Sequence, residues 1–330
     1  MKIIRNQILR SALFAAAVCV VAVTAGCAEK HPDWLTDYEQ AQDRAQKQHK
    51  NMFLFFSGED WDGISTQLRS SVFDTPEFIK AAQADYVLVH LDFSESLYNS
   101  AETAEDATEA EKKAAAQAAE TLQKNADAAS AYSVQGMPTV LLVTPEGYVF
   151  GSIPYDETVS TAAQYIQLLN AYTETREKTA TLLKQIKNKK SLDKVTAIDQ
   201  LYELLEPSYR YLLIDLIKEV PESDPQNESG LVGKYQIQIA YSNAMDAFAS
   251  GDVQGAVQGF VDAISGGYLS AEQMQEAYYT AAYLLAVTQS GDNAQVLAYL
   301  NNAYDAAPES EIADSIKMTI EAVSAQGEQE

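Results

Sequence analysis

The chain has 330 residues, 47% of them hydrophobic, and it carries 47 Asp and Glu against 23 Lys and Arg. This length and hydrophobic content suffice for two domains with packed cores and exclude a chain that is disordered throughout. The excess of negative charge argues against nucleic acid or anionic lipid as a direct ligand, because both are polyanions.

Residues 1–27 predict an export signal. The segment begins with the basic residues Lys2, Arg5 and Arg10, and an apolar stretch follows over residues 12–23. A basic start before a short apolar core is typical of a secretory signal peptide rather than of a membrane-spanning helix. We therefore expect the rest of the protein to be exported to the bacterial periplasm.

The end of this segment predicts a lipid anchor. Its last residues, Thr24-Ala25-Gly26-Cys27, resemble the end of bacterial lipoprotein signals, in which the cysteine is acylated and becomes the new N-terminus. Thr24 departs from that family, which usually has Leu there. The resemblance implies lipid attachment to a membrane at Cys27. The alternative is cleavage near Ala28 and a free periplasmic protein.

Apolar runs in the next part of the chain predict the strands of an α/β domain. A continuous apolar run is expected of a strand that is covered on both faces. A polar helix up to about Lys50 precedes the first strand. Thr144-Pro145-Glu146-Gly147 suits a type I hairpin turn between the last two. The predicted strands are residues 52–56, 86–93, 140–143 and 148–152.

Residues 95–131 are rich in Ala and Glu and contain neither Pro nor Gly. Since Ala, Glu, Lys and Gln favour helix, this composition predicts one or two mostly exposed helices. We interpret residues 95–118 as a solvated helical insertion, and residues 118–131 as a helix of the fold itself. An acidic docking surface is the alternative role for the insertion.

Two separated motifs resemble the thioredoxin family. Trp61-Asp62-Gly63-Ile64-Ser65 follows the first strand and opens a helix, and Gly136-Met137-Pro138-Thr139 precedes a later strand. Thioredoxin relatives have Trp-Cys-x-x-Cys at the first place and a cis-proline at the second. The stretches Trp34–Ala41 and Val72–Phe78 also resemble exported bacterial thioredoxin-like domains. The resemblance implies a thioredoxin-like domain over residues 32–175.

The family's redox chemistry does not carry over with this resemblance. Asp62 and Ser65 occupy the two cysteine positions, and thiol–disulfide exchange needs a thiolate. We predict that Asp62 caps the helix and that Ser65 is a hydroxyl on the helix surface. The resemblance implies that Met137, before Pro138, presents its backbone to an extended peptide, although Pro138 can equally serve the fold alone. Trp61 is either a contact in that groove or a packed aromatic ring.

The rest of the chain predicts an all-helical region. Residues 176–192 form a basic helical linker, and residues 193–325 a helical domain. Gly251-Asp252 recurs forty residues later as Gly291-Asp292, each followed by small and bulky apolar residues at helical spacing. This pattern resembles the second half of a tetratricopeptide repeat, with a longer period than that family has.

The sequence predicts no cofactor and no metal. The three histidines, His31, His49 and His90, do not have the spacing of a zinc or haem site. We predict a redox-inactive, thioredoxin-fold envelope lipoprotein that binds peptide or protein partners as a scaffold or assembly factor. One alternative is a thiol–disulfide isomerase-like or chaperone-like enzyme that acts with a partner's thiols. Another is a structural spacer held by Cys27.

Overall fold

The computed structural model describes residues 33–327, with side chains up to residue 325. The predicted signal segment and Cys27 lie outside this range. A five-stranded mixed sheet in the order β1-β3-β2-β4-β5 forms the centre of the first region. β1, β3 and β2 are parallel to one another, whereas β4 pairs antiparallel with both of its neighbours, β2 and β5. The strands are β1 (Trp34–Leu35), β2 (Asn51–Ser57), β3 (Tyr86–Asp92), β4 (Thr139–Val143) and β5 (Val149–Ile153).

The sheet has helices on both faces, which explains the continuous apolar strands. Successive side chains of a strand point to opposite faces. In β2, Phe53 and Phe55 join one hydrophobic cluster, while Leu54 and Phe56 join the other, and all four are fully buried. The helices of this region are α1 (Tyr38–Gln48), α2 (Gly63–Leu68), α3 (Pro76–Ala82), α4 (Glu95–Ala101), α5 (Glu109–Ala131) and α6 (Ala162–Ala171).

The Ala- and Glu-rich segment, residues 95–131, forms α4 and α5. Thr108 and Glu111 form a capping box at the start of α5, which therefore begins with a stabilised turn. Its first half is mostly exposed, and Ala128 near its end is buried against the sheet. The second part of the insertion and the fold's own helix are thus one continuous helix, α5, whereas the first part forms α4.

The hairpin between β4 and β5 turns as the sequence predicts. The Gly147 N–H donates to the Thr144 carbonyl over 2.9 Å, which closes the four-residue turn. Gly147 has φ +100°, a conformation that favours glycine because it has no Cβ.

The remaining chain is helical, and most of its buried apolar side chains belong to two separate hydrophobic clusters. The elements are α7 (Thr173–Asn188), α8 (Ser191–Leu204), a 3-10 helix (Pro207–Leu213), α9 (Ile214–Ile217), α10 (Glu219–Ser223), α11 (Val232–Ala249), α12 (Val253–Ser265), α13 (Ala271–Val287), α14 (Asn293–Ala306) and α15 (Ala313–Gly327). The first cluster joins Phe53 of the sheet with Ile186, Leu213 and Tyr235. The second cluster lies among α11 to α14 and starts, in chain order, at Ile237. The predicted linker, residues 176–192, packs against the first cluster, so it does not join two separate cores.

The sequence repeat corresponds to two equivalent helix starts. Asp252 accepts a hydrogen bond from the Gly255 N–H over 2.8 Å, and Asp292 accepts one from the Gln295 N–H over 2.7 Å. Each aspartate therefore caps its helix, α12 or α14. The bulky apolar residue at the same later position, Phe260 or Leu300, is buried in the second cluster.

Candidate functional site

The two thioredoxin-like motifs meet at one edge of the sheet. Phe56 near the end of β2 pairs with Thr139 at the start of β4. The loop containing Trp61 follows β2, and Pro138 precedes β4, so the strand register brings both motifs to this edge. The Met137–Pro138 peptide bond is cis. Pro138 also lines a small apolar pocket together with Leu68 at the end of α2.

Asp62 caps α2 as the sequence predicts. Its carboxylate accepts hydrogen bonds from the Ile64 N–H over 3.2 Å and the Ser65 N–H over 3.1 Å. These amides are at the helix start, where backbone donors lack partners within the helix. A cap of this kind contributes about 1 kcal/mol to stability. The interactions of Asp62 are thus sufficiently explained by its structural role.

Ser65 is buried, and our prediction of a surface hydroxyl is wrong. Its exposed fraction is 0%, because the loop before α2 folds over it. The Ser65 hydroxyl donates to the Asp62 carboxylate over 2.5 Å and accepts from the Gly58 N–H over 3.3 Å. Side chains 62 and 65 therefore already touch, and the hydroxyl is bound to the same carboxylate that caps the helix.

Trp61 is both packed and accessible. Its indole N–H donates to the Phe93 carbonyl over 2.7 Å. One side of the ring covers Gly58, where an added Cβ would lie 2.1 Å from the indole. Even so, 56% of the residue is exposed. Trp61 therefore presents a fixed aromatic surface at this edge, which combines the two alternatives left open by the sequence.

The loop of Trp61 is also attached to the helical insertion. The Asp60 carboxylate accepts hydrogen bonds from the Glu95 N–H over 2.6 Å and the Ser96 N–H over 2.7 Å. Both amides belong to the first turn of α4. The insertion therefore helps to hold Trp61 in place.

A buried polar cluster lies beside this loop and was not predicted from the sequence. His90 of β3 is 8% exposed, and its Nε2 lies 2.7 Å from the Ser57 hydroxyl and 3.2 Å from the Glu59 carboxylate. The Arg69 guanidinium lies 3.4 Å from the Glu59 carboxylate and 2.7 Å from the Asp74 carboxylate. The sequence indicated this cluster only by a single histidine in an apolar strand, opposite Phe55 in the strand register.

The cluster keeps His90 neutral at ordinary pH. Burial, with a smaller contribution from the Arg69 guanidinium, lowers the pKa of His90 to about 3. Glu59 is close enough to favour a charged imidazole, but its carboxylate already faces Arg69. Burial also raises the pKa of Glu59 itself. Both effects follow from the cost of placing charge in a low-dielectric interior.

We expect His90 to make the protein less stable in mild acid. Its ordinary pKa is 6.5, so between pH 6.5 and about 3 the unfolded state binds a proton that the folded state does not. The free energy of unfolding therefore falls as the pH falls, and at about pH 5 this group makes it about 2 kcal/mol lower than at pH 7. The raised pKa of Glu59 acts in the opposite direction at lower pH. Urea unfolding at pH 7 and pH 5 measures the effect.

The matched comparison for this prediction is between His90→Gln and His49→Gln. The first variant should lose less stability than the native protein between pH 7 and pH 5, by about 2 kcal/mol. The second replaces an exposed histidine and should behave like the native protein. Equal pH dependence in the native protein and His90→Gln would contradict the burial of a neutral imidazole.

Within residues 33–327, no group of three or more His, Cys, Asp and Glu is arranged to hold a metal ion. In the same range, none of the helices is long and apolar enough to cross a membrane.

Comparison with known families identifies two regions of the chain. Residues 38–173 match the family model described as a thioredoxin-like domain. This region has the thioredoxin-like fold. Residues 231–329 match a model described as an uncharacterised protein C-terminal domain. The tetratricopeptide resemblance of the helical region remains a prediction.

Similar proteins were found for the whole chain and for parts of it. An uncharacterised protein of Treponema pallidum (strain Nichols) is 24% identical over 299 residues, covering 91% of this chain and 92% of that protein. The thioredoxin-related protein DsbJ of Chlamydia pneumoniae is 33% identical over 60 residues, which cover 18% of this chain and 17% of DsbJ. A solved structure of a DsbH oxidoreductase has 21% identity and a TM-score of 0.34, covering 48% of this chain and 95% of that one.

Proposed function

We propose that this protein is a redox-inactive, thioredoxin-fold protein of the bacterial envelope that binds an extended peptide segment of a partner. It acts as a scaffold or assembly factor. The observation that carries the proposal is the Asp62–Ser65 pair. A carboxylate and a buried hydroxyl are hydrogen-bonded to each other where a redox thioredoxin has its two thiols. Neither group can form or break a disulfide.

The neighbouring surface supports a binding role. Trp61 is fixed by a hydrogen bond and largely exposed, and Met137 and Pro138 are partly exposed at the same edge. Rigid aromatic side chains often supply much of the binding energy in an interface. An extended peptide can add backbone hydrogen bonds beside a strand. We also propose that the protein is exported and held to a membrane by acylated Cys27.

The test combines a catalytic and a binding measurement on the native chain. Insulin reduction should remain at the uncatalysed rate. An array of unstructured peptides should yield binders, and their affinities are then measured by fluorescence anisotropy. We expect Trp61→Ala to weaken binding at least tenfold. Tyr283→Ala removes a comparably exposed aromatic residue from α13 (58% against 56%) and should change affinity less than twofold.

Two results would contradict the proposal. Insulin reduction by the native chain above the uncatalysed rate would show that it is an oxidoreductase. Equal loss of peptide affinity in Trp61→Ala and Tyr283→Ala would show that the binding surface is not the edge of the sheet that carries Pro138.

The similarity to part of DsbJ favours a second candidate, in which the protein assists thiol–disulfide chemistry with thiols supplied by a partner. In that case the native chain alone would not reduce insulin. It would instead raise the rate at which an added dithiol enzyme refolds scrambled ribonuclease. Trp61→Ala would reduce that gain, because the groove would hold the substrate for the enzyme.

A further inference from the structure

The edge of the sheet opposite Trp61 carries an unusual concentration of positive charge. Two segments contribute to it, residues 44–51 at the end of α1 and residues 178–192 at the end of α7. The first contains three Lys or Arg and the second contains five, and neither contains Asp or Glu. This is notable in a chain whose acidic residues outnumber its basic ones by 47 to 23.

The fold brings these distant segments together across a shallow cleft. The cleft is lined by Gln46, His49, Asn51, Glu146, Lys184 and Lys187. The strand order explains the meeting, because β2 begins at Asn51 directly after α1 and α7 packs beside β5. We call this surface the basic edge.

Much of the charge at the basic edge is available to a partner. Lys47, Lys184, Lys187 and Lys190 are exposed. Within residues 33–327, the ammonium groups of these four lysines have no carboxylate within 4.0 Å, whereas Lys189 lies 3.7 Å from Asp193. An exposed cluster of unpaired lysines attracts anions over about one Debye length, roughly 8–10 Å in physiological salt.

Stabilising the helix ends accounts for only part of this cluster, since only Lys47 and Lys187 lie in the last turns of α1 and α7. A lysine near a helix C-terminus is favourable because the last carbonyls are partly negative. At the end of α1, however, the His49 N–H already donates to the Ala45 and Gln46 carbonyls. The Lys50 ammonium donates to the Gln83 carbonyl over 2.6 Å. At the end of α7, the Lys189 N–H donates to the Gln185 carbonyl over 2.8 Å.

The described chain begins beside the basic edge. The Gln83 amide donates to the Asp33 carbonyl over 3.3 Å and to its carboxylate over 3.2 Å. Gln83 therefore contacts both Asp33 and Lys50. Five residues lie between Cys27 and Asp33, and the six Cα-to-Cα steps span at most about 20 Å. A lipid anchor at Cys27 would hold the basic edge close to the membrane.

The opposite edge has the reverse charge. Glu59, Asp60 and Asp62 lie in or beside the Trp61 loop, and Asp92 ends β3 at the same edge. Unpaired lysines therefore concentrate at one end of the parallel strands and carboxylates at the other, while Glu146 and Asp85, which is paired with Arg176, also lie at the basic edge. A negatively charged surface attracts the basic edge and repels the edge with Trp61, which fixes both contact and orientation.

We propose that the basic edge docks on the anionic phospholipid headgroups of a membrane, with the Trp61 edge facing away. A basic patch is a common second contribution to membrane binding beside a lipid anchor. Docking leaves the candidate peptide site accessible to partners. The negative net charge of the whole chain opposes binding to anionic lipid, but the lysines of the basic edge make that one surface attractive to it.

The test measures lysine acetylation in the native full chain reconstituted into vesicles. One set contains phosphatidylcholine alone, and the other contains 30 mol% phosphatidylglycerol. After brief treatment with an acetylating ester, mass spectrometry gives the rate at each lysine. Lys112 and Lys113 lie on the exposed start of α5 and serve as controls within the same molecule.

We expect at least fivefold slower acetylation of Lys47, Lys184 and Lys187 on the anionic vesicles. Lys112 and Lys113 should change less than twofold, and about 0.5 M NaCl should remove the difference because salt screens the attraction. Equal rates on both vesicles would overturn the proposal. Equal slowing at Lys112 and Lys113 would also overturn it, since that indicates adsorption without orientation. Neither outcome bears on peptide binding at Trp61.

Discussion

Replacing Asp62 and Ser65 together with cysteine will give the protein insulin-reducing activity at least tenfold above that of the native chain. The Ile64 and Ser65 amides now bind the Asp62 carboxylate. The same donors would stabilise a thiolate at position 62. Cysteines in such environments have pKa values of roughly 3.5–7.5, compared with about 8.5 for an unperturbed thiol.

The geometry of the two side chains also favours this result. The Ser65 hydroxyl and the Asp62 carboxylate are 2.5 Å apart, so two cysteines at these positions would lie within reach of each other. A disulfide needs Cβ atoms roughly 3.5–4.5 Å apart. The cysteine at 65 would be buried, whereas position 62 at the helix start is the accessible one and would attack the substrate.

The experiment compares the double variant with Asp62→Cys and Ser65→Cys alone, using insulin reduction with dithiothreitol. Each single variant has one thiol in the pair and should show little turnover, because no second thiol resolves the mixed disulfide. Mass spectrometry establishes whether the pair oxidises. A double variant that forms its disulfide but does not reduce insulin would show that the edge with Pro138 no longer receives substrates.

Ending the chain at Lys190 will unfold the thioredoxin-like region or lower its melting temperature by at least 10 °C. The helices after this point cover apolar side chains that remain in the shortened chain. Ile186 is buried in the first cluster, and Leu182, Leu183 and Tyr148 are partly buried against this cluster. Exposing three such side chains costs roughly 5–9 kcal/mol, which is comparable with the whole stability of a domain, about 5–15 kcal/mol.

Hydrogen bonds add to this attachment. The Tyr211 hydroxyl, in the 3-10 helix, donates to the Ala131 carbonyl at the end of α5 over 2.7 Å. Tyr209 and Leu212 of the same helix pack against the second face of the sheet. Residues after Lys190 therefore support both faces of the thioredoxin-like region.

The control is a chain that ends at Ser250, after α11. It keeps Tyr235 and its hydrogen bond to Asp199, at 2.7 Å, and loses the helices of the second cluster. This chain should unfold cooperatively in a calorimeter, within about 10 °C of the full chain, since 1 kcal/mol corresponds to roughly 2–4 °C at this size. Similar melting temperatures for the two shortened chains would show that residues 191–250 are dispensable.

Local sequence patterns were sufficient to predict the thioredoxin-like elements. The apolar run of β2 indicated a strand covered on both faces, and Asp62 before α2 indicated a capped helix. Both depend on a few neighbouring residues, since side-chain direction and unpaired amides are fixed by the local backbone. The repeated Gly-Asp pairs gave the starts of α12 and α14 for the same reason.

Ser65 and His90 required the tertiary structure. Ser65 has the position of a surface residue within a short helix, but the Gly58–Trp61 loop covers it. His90 is one polar residue in an apolar strand, and its partners Ser57 and Glu59 come from β2 and the loop that follows it. Sequence spacing contains no information about which distant loop lies over a given side chain.

By itself, the sequence determined the thioredoxin-like fold and the absence of a thiol pair at its usual site, because residue identity and short-range periodicity are sufficient for both. Only the tertiary structure decided that residues 191–235 complete the core of the first region, and that the lysines of α1 and α7 meet at one edge. Both depend on how the helices pack against the sheet, and packing joins residues whose separation in the chain gives no periodic signal.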